Sequence, residues 1–420
     1  MSGGSGIAAA LTAFGMRQHA RALRLWAHPA AHDPAMPLAG AVREARSLLV
    51  IALAEIGDAV LLSSLLRTLR PAAPHARITL VVRPQVRELF AVCPYVDEVL
   101  DYDPRAPRLL RPAVLPLRAR RFARARLRGR PVDVAVVPRW DVDHHLATAV
   151  ALFSGARRRV GFGEAVSARK ARLNAGMATL LTDVVPGAFA AHEVERLAEV
   201  ARAMGAASDA PALELWLTDA DRERAAAVLA GAGAPLVTLG IGAADPKRRW
   251  PPERYAAAAR ALQEQLGAHV VVVGGAGDEE AQRLVLERLG AGAATGVAGE
   301  LTLRQTAAVL ARCQLFVGND SAPLHLAAAA GVPCVELSCH PADGDPRHNN
   351  APERFRPWGV PHAVLRPPRG APPCGDHCAA RDAHCILQIT VADVVAQAVR
   401  LVASSTTSAV APAALSARAR

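Results

Sequence analysis

Apolar residues along this chain gather in short unbroken runs, and most runs are followed by an amphipathic stretch of helical length. Leu48–Ala54 (LLVIALA) is the first run; a continuous apolar segment of this size suits a strand buried on both faces. Glu55-Ile56-Gly57-Asp58 follows as a loop, and a helical pattern then runs to about Arg70 and stops before Pro71. Ile78–Val82 predicts the next strand, Pro84 the first turn of another helix, and Val96–Leu100 a third strand. Val132–Val137 resumes as a strand, with helices over 142–153, 190–204 and 219–230. A second series begins at Leu236–Ile241, with strands at His269–Val273, Leu315–Val317 and Cys334–Leu337. Helices are predicted between them at about 253–265, 279–289, 302–311 and 321–330. Thr390 and Asp393 form a capping box for a late helix.

Two successive β-α-β series predict an α/β protein with two doubly wound, Rossmann-like domains and a ligand cleft between them. The expected division is an N-terminal extension over 1–45, domains over 46–231 and 232–403, and a disordered tail over 404–420. Gly231–Ala234 (GAGA) serves as the hinge. Within the extension, Met16–Trp26 suits a short basic amphipathic helix. Arg105–Arg130 interrupts the pattern with many arginines between short apolar runs.

The chain has 420 residues, 51% of them hydrophobic and 21% charged, enough apolar content for sizeable cores. Its net charge of +11 favours anionic partners, but no aromatic residues are interleaved with the arginines, so nucleic acid is not expected as a partner. The longest apolar runs, such as Leu324–Leu337, contain Gly331 and Pro333 and fall short of the ~20 residues a membrane span needs. Ile7–Phe14 is apolar, but no basic residue precedes it, so a cytoplasmic location is expected. Seven cysteines in that setting are expected to be reduced. Three of them form the pattern Cys374-x3-Cys378-x6-Cys385. These read first as surface thiols; a zinc site completed by His377 or His384 is the alternative.

Three segments at strand ends carry candidate chemistry. Asp58, after the first strand, suits a general base, or alternatively a cap on the following helix. Gly240–Trp250 (GIGAADPKRRW) combines glycines that admit a ligand to the backbone with Lys247, Arg248 and Arg249, cations suited to a diphosphate, or forms a solvated basic turn. Gly318–Pro333 (GNDSAPLHLAAAAGVP) starts a helix at Asp320-Ser321, where free N–H groups attract anions, with His325 one turn further on. The loop after the first strand reads EIGD and lacks the glycine fingerprint of a dinucleotide-binding dehydrogenase.

These blocks, together with GDAVLLSSLLRTLRPAAPHARITLVV and AHEVERLAEVARAMG, resemble glycosyltransferase family 9, the ADP-heptose:lipopolysaccharide heptosyltransferases, over about Leu48 to Leu401. The resemblance implies a GT-B fold with the acceptor on the N-terminal domain and the sugar nucleotide on the C-terminal one. It also implies inverting transfer of heptose from ADP-heptose to a lipopolysaccharide core acceptor, with no metal or other cofactor. A related nucleotide sugar or acceptor is the alternative, and a noncatalytic sugar-nucleotide-binding protein is disfavoured by the retained Asp58. Asp58 takes the position of the catalytic base. Lys247, Arg248, Arg249, Ser321, Ala322 and His325 fall where the diphosphate is gripped, and Asp320 at the sugar or its loop. Asp278, Glu279 and Glu280 match the ribose region, and Leu301 the adenine contact. Ser63-Ser64 replaces the family's usual Thr-Pro, and residues 1–45 and 105–130 have no clear counterpart. The basic segment suggests peripheral contact with lipid A phosphates or the inner membrane's cytoplasmic face.

Overall fold

A computed structural model of the chain describes residues 3–27, 34–107, 110–187, 192–206, 211–290 and 292–407. They fall into two compact units, Met1–Pro211 and Ala212–Arg420.

The first unit is built on strands β1 (Ser47–Ala52), β2 (Arg77–Val82), β3 (Glu98–Asp101), β4 (Val134–Val137), β5 (Arg158–Phe162) and β6 (Asp183–Val185). They form one parallel sheet in the order β3-β2-β1-β4-β5-β6. The second unit holds β7 (Leu236–Gly240), β8 (His269–Val273), β9 (Ala294–Gly296), β10 (Leu315–Asn319), β11 (Cys334–Leu337) and β12 (His362–Leu365). Its parallel order is β12-β11-β10-β7-β8-β9. Counted within each unit, both orders are 3-2-1-4-5-6, the Rossmann arrangement. The chain reverses direction across the sheet between β1 and β4, and again between β7 and β10. In sheets of this order the loops leaving neighbouring strands diverge at the switch point, the usual place for a ligand crevice.

Strands β1, β2, β4 and β7 are apolar because helices cover both faces of each sheet. Leu49, Ile51, Val81, Ala135 and Val137 belong to one core with Val150 and Leu152 of the helix Ala147–Phe153. Val237, Leu239, Val270, Val272 and Val317 belong to the other, with Tyr255 and Leu262 of the helix Pro252–Leu266.

Several expectations need correction. β5, β6, β9 and β12 were not anticipated: β5 opens with Arg158-Arg159, and β6 and β9 have three residues each. Arg158 is buried because Asp183 on β6 takes its guanidinium, with Nε 2.8 Å from Oδ2. Residues 1–45 are not a separate extension. A helix spans Gly3–Trp26, and its Ala20 and Leu23 enter the first unit's core beside Met177 and Leu180. Pro71 lies inside the helix Ser63–Ala72, and the last helix, Val391–Thr407, runs past the expected start of the tail at 404. Residues 408–420 lie outside the described residues. The units part at Pro211 and not at 231, because the helix Asp219–Val228 packs on the helix Leu303–Leu310. Arg304 Nε lies 3.3 Å from Asp221 Oδ2 in that contact.

Candidate active site

Each switch point carries a constellation of polar side chains. In the first unit, β1 is followed by the helix Ile56–Leu61, which begins earlier than expected and places Asp58 in its first turn. Glu55 holds the N-cap position without a side-chain cap bond, so Asp58 does not cap the helix. Its carboxylate instead reaches the loop after β4, where Arg139 Nη1 donates to Oδ2 at 2.6 Å. The pair lines an open crevice of about 740 Å³ with Glu55, Asp143, His144, His145 and Glu193. Burial pulls the Arg139 guanidinium pKa down, but Asp58, Asp141 and Glu193 outweigh it and hold the group above its ordinary value. Burial, reinforced by Arg83, pulls His145 down to about 4. His144 is lowered in the same way, by burial and then by Arg169 and Arg139.

The loop carrying Arg139 is held from below by buried charges. Lys170 Nζ donates to the carbonyls of Arg139 (2.9 Å), Trp140 (3.1 Å) and Phe162 (3.1 Å). Burial draws its pKa down to about 8. Arg196 stacks over the Trp140 ring at 3.5 Å and pairs with Glu193, on the helix that the AHEVERLAEVARAMG block predicts. That helix, Glu193–Ala203, is capped reciprocally: Val194 N donates to His192 Nδ1, and His192 N to Glu195 Oε2. Asp143 accepts from Ala147 N and Thr148 N at 2.8 and 2.9 Å, fixing the start of the helix Ala147–Phe153. Between them Leu146 has φ of 53°, a left-handed conformation that costs a branched residue energy. Sequence reading missed Arg139, Asp143, His145 and Lys170. For the first three the signal was present in PRWDVDHH, a dense polar run directly after the apolar segment VAVV.

In the second unit the basic turn Pro246–Arg248 follows β7, capped by Asp245. The structure separates its three cations. Lys247 Nζ pairs with Asp245 at 3.1 Å, and Arg249 Nε donates to the Ala243 carbonyl at 2.8 Å. Arg248 alone among them turns to the end of β10, where its Nη1 lies 3.3 Å from Asp320 Oδ2. Ser321 precedes the helix Ala322–Ala329 at its N-cap; its buried Oγ has no hydrogen-bond partner among the described residues. His325, on the same helix, is buried. Arg248, Asp320, Ser321 and Ala322 therefore meet at one helix N-terminus, whose dipole favours an anion.

Sequence reading missed two buried polar residues here, and Asn319 holds the arrangement. Asn319 accepts from Trp250 N (3.0 Å) through Oδ1 and donates to the Ile241 carbonyl (2.9 Å) through Nδ2, latching the basic loop to β10. Glu336, in the apolar run CVEL of β11, is buried with Oε2 unbonded among the described residues. Burial first, then the Asp320 charge, raises its carboxyl well above the ordinary value. The glycines before the turn do not lie open to a ligand as expected. A Cβ on Gly242 would come 2.0 Å from Asp278 Oδ2, and one on Gly240 would come 2.4 Å from the Phe316 ring. Of the acidic trio, Asp278 faces this loop and accepts from Gly275 N at 2.9 Å. Glu279 turns to Gly277 N at 2.7 Å, and Glu280 lies on the exposed helix face paired with Arg283. Leu301 is half-buried, just before the N-cap Thr302.

The cysteines depart from the expectation of surface thiols. Cys378 and Cys385 are buried, and both gather with Cys374 and His384. No described helix is long and apolar enough to cross a membrane.

Two Rossmann sheets, each with polar groups at its switch point, define the class: an α/β protein of the GT-B fold. The model of glycosyltransferase family 9 (heptosyltransferase) matches residues 126–374. Lipopolysaccharide heptosyltransferase 2 of Salmonella typhimurium is 30% identical over 301 residues, covering 69% of this chain and 82% of that one. The Escherichia coli K12 enzyme of the same name is 28% identical over 303 residues, with the same coverage. Among solved structures, a family 9 glycosyltransferase from Veillonella parvula superposes with a TM-score of 0.70 at 21% identity, covering 90% of this chain and all of that one. E. coli ADP-heptose lipopolysaccharide heptosyltransferase II gives 0.63 at 23%, covering 86% and 99%. The chain belongs to glycosyltransferase family 9, the heptosyltransferases, and is a transferase enzyme.

Proposed function

We propose that the protein transfers a heptose from ADP-heptose to a lipopolysaccharide core acceptor by inverting displacement, without a metal at the reacting centre. The observation that carries this reading is the Asp58 carboxylate at the β1–β4 switch point, oriented through Oδ2 by Arg139 in an open crevice. Oδ1 is left to accept the proton of an acceptor hydroxyl as that oxygen attacks the anomeric carbon. The bond from the anomeric carbon to the diphosphate oxygen breaks on the opposite face, and the departing ADP keeps the electron pair. Its growing negative charge needs donors already in place, which suits Arg248 and the N-terminus of the helix Ala322–Ala329 in the second unit. Lys247 and Arg249 contribute at longer range, Asp320 orients Arg248, and Asp278 is the acidic residue best placed for the ribose. The relatives' names, with their ADP-heptose and lipopolysaccharide substrates, support donor and acceptor alike.

Peripheral contact with the cytoplasmic face of an anionic membrane accords with the helix Arg111–Phe122 and the turn after it. Leu115, Ala119, Ala123 and Leu127 are buried, while Arg120, Arg121, Arg124 and Arg126 are exposed.

The test compares wild type with Asp58→Asn, measuring ADP release with ADP-heptose and deacylated core acceptor alongside donor binding by calorimetry. Removing a positioned base costs about 10²–10⁴ in rate, so kcat should fall by that range with donor affinity kept. Full activity in the variant removes Asp58 from the base role. Turnover of another nucleotide sugar in place of ADP-heptose overturns the donor.

A further inference from the structure

The second unit holds a cluster of metal-ligating groups that the transfer reaction does not use. Beyond β12 the chain folds into a tight loop over residues 370–389. Cys374 Sγ and Cys385 Sγ each lie 3.5 Å from His384 Nδ1. With Cys378 Sγ, the four atoms all fall within 4.8 Å of one another. Tetrahedral zinc with Zn–S of about 2.3 Å and Zn–N of about 2.0–2.1 Å separates its ligand atoms by roughly 3.6–3.8 Å. The two sulfur–nitrogen separations already match that edge, and the widest pair needs to close by about an ångström.

The surroundings are built around these atoms. The backbone N–H of Ala379 donates to Cys374 Sγ at 3.4 Å, the kind of outer contact that orients and stabilises a thiolate ligand. Cys378 and Cys385 are buried within the apolar core, and four protein ligands fill a tetrahedral shell, the mark of a structural site in place of a catalytic one. The loop's own backbone is drawn tight: a Cβ on Gly370 would come 2.3 Å from the Gly375 carbonyl oxygen. Three thiols cannot all be paired as disulfides, whereas three thiolates and one imidazole satisfy a single ion.

We propose that Cys374, Cys378, His384 and Cys385 bind one structural zinc ion that pins this loop. Each thiol gives up its proton as its sulfur bonds to the metal, so binding releases protons to solvent. The ion fixes the support behind the basic turn. The short helix Cys385–Gln388 packs on the turn Pro246–Arg248. This helix and the residue after it accept hydrogen bonds from that region: the Leu387 carbonyl from Arg254 Nη1 at 2.7 Å, and the Ile389 carbonyl from Trp250 Nε1 at 3.2 Å.

The test is metal analysis of the full chain purified without chelator, followed by stripping and titration with Zn²⁺ alone. One zinc per chain is expected, with stoichiometric rebinding. Three thiols should be shielded from a thiol reagent in the zinc form and reactive after stripping, and the thermal midpoint should rise on rebinding. Cys374→Ser and His384→Ala should each weaken zinc binding by tenfold or more, while Cys93→Ser, in the other unit, keeps it. Cys374 is only half-buried, so its serine variant should fold; far-ultraviolet circular dichroism confirms this before metal analysis. Zinc content at background, with no uptake from solution and equal thiol reactivity throughout, overturns the proposal. One equivalent of iron in place of zinc overturns the choice of metal. Neither result depends on turnover, so the transferase reading stands or falls separately.

Discussion

At the scale of single residues, the first unit's site is a set of charges kept in place by one another. Asp58, in the helix after β1, and Arg139, in the loop after β4, are far apart in sequence and adjacent only because β1 and β4 are neighbours. Lys170 spends all its hydrogen-bonding capacity on three carbonyls, two of them in the Arg139 loop, and so acts as a positioning residue. His145, in the same crevice, is held neutral down to about pH 4 by burial and by Arg83. An unfolded chain protonates this imidazole near its ordinary value of 6.5. As pH falls, the unfolded state therefore takes up the proton first. The stability tied to the neutral ring is fully present above about pH 6.5 and is lost as pH drops toward 4. Melting temperature should decline across that window, and His145→Gln should flatten the decline. An unchanged slope in the variant would place the acid sensitivity elsewhere. Asp58 was legible in sequence because it stands just after an apolar run; Arg139 stands in a comparable position after VAVV, but its pairing with Asp58, like the role of Lys170, comes from a strand order that no local pattern encodes.

Elements show where local pattern is sufficient. The observed bounds of β8 and β11 equal the runs His269–Val273 and Cys334–Leu337, since a strand covered on both faces is apolar along most of its length, with Glu336 the buried exception in β11. β6, β9 and β12 are edge or near-edge strands of three or four residues, too short for periodicity to register. The loop after β7 was located correctly, yet its glycines have another physical role. Gly242 leaves room for the Asp278 carboxylate, which in turn accepts from Gly275 N and lies 3.9 Å from Arg249. Gly242→Ala would drive a methyl into that carboxylate, and relief requires moving backbone or Asp278. A stability loss of about 1–3 kcal/mol follows from such overpacking, together with weaker ADP binding, because the displaced loop also carries Arg248. Chemical denaturation and calorimetric titration of ADP would check both. Wild-type stability with wild-type affinity would mean that the loop yields freely and that Asp278 has no fixed place in it.

On the scale of the whole molecule, two units repeat one strand order and put their polar constellations at equivalent switch points. The α/β class and the existence of two series follow from alternating runs and helices, but the boundary does not. The Gly231–Ala234 stretch looks like a hinge because glycine and alanine pack little, while the true limit depends on what the helix Asp219–Val228 touches. That helix joins the second unit through the helix Leu303–Leu310, with Asp221 buried against Arg304. A fragment spanning 212–420 should therefore melt cooperatively and bind ADP. One spanning 232–420 exposes the apolar face of Leu303–Leu310, leaves Arg304 unpaired, and should melt many degrees lower or fail to fold. Circular dichroism melts of the two fragments decide the matter. Equal melting of both would show that residues 212–231 add nothing to the second unit and would return the boundary to the glycine-rich stretch.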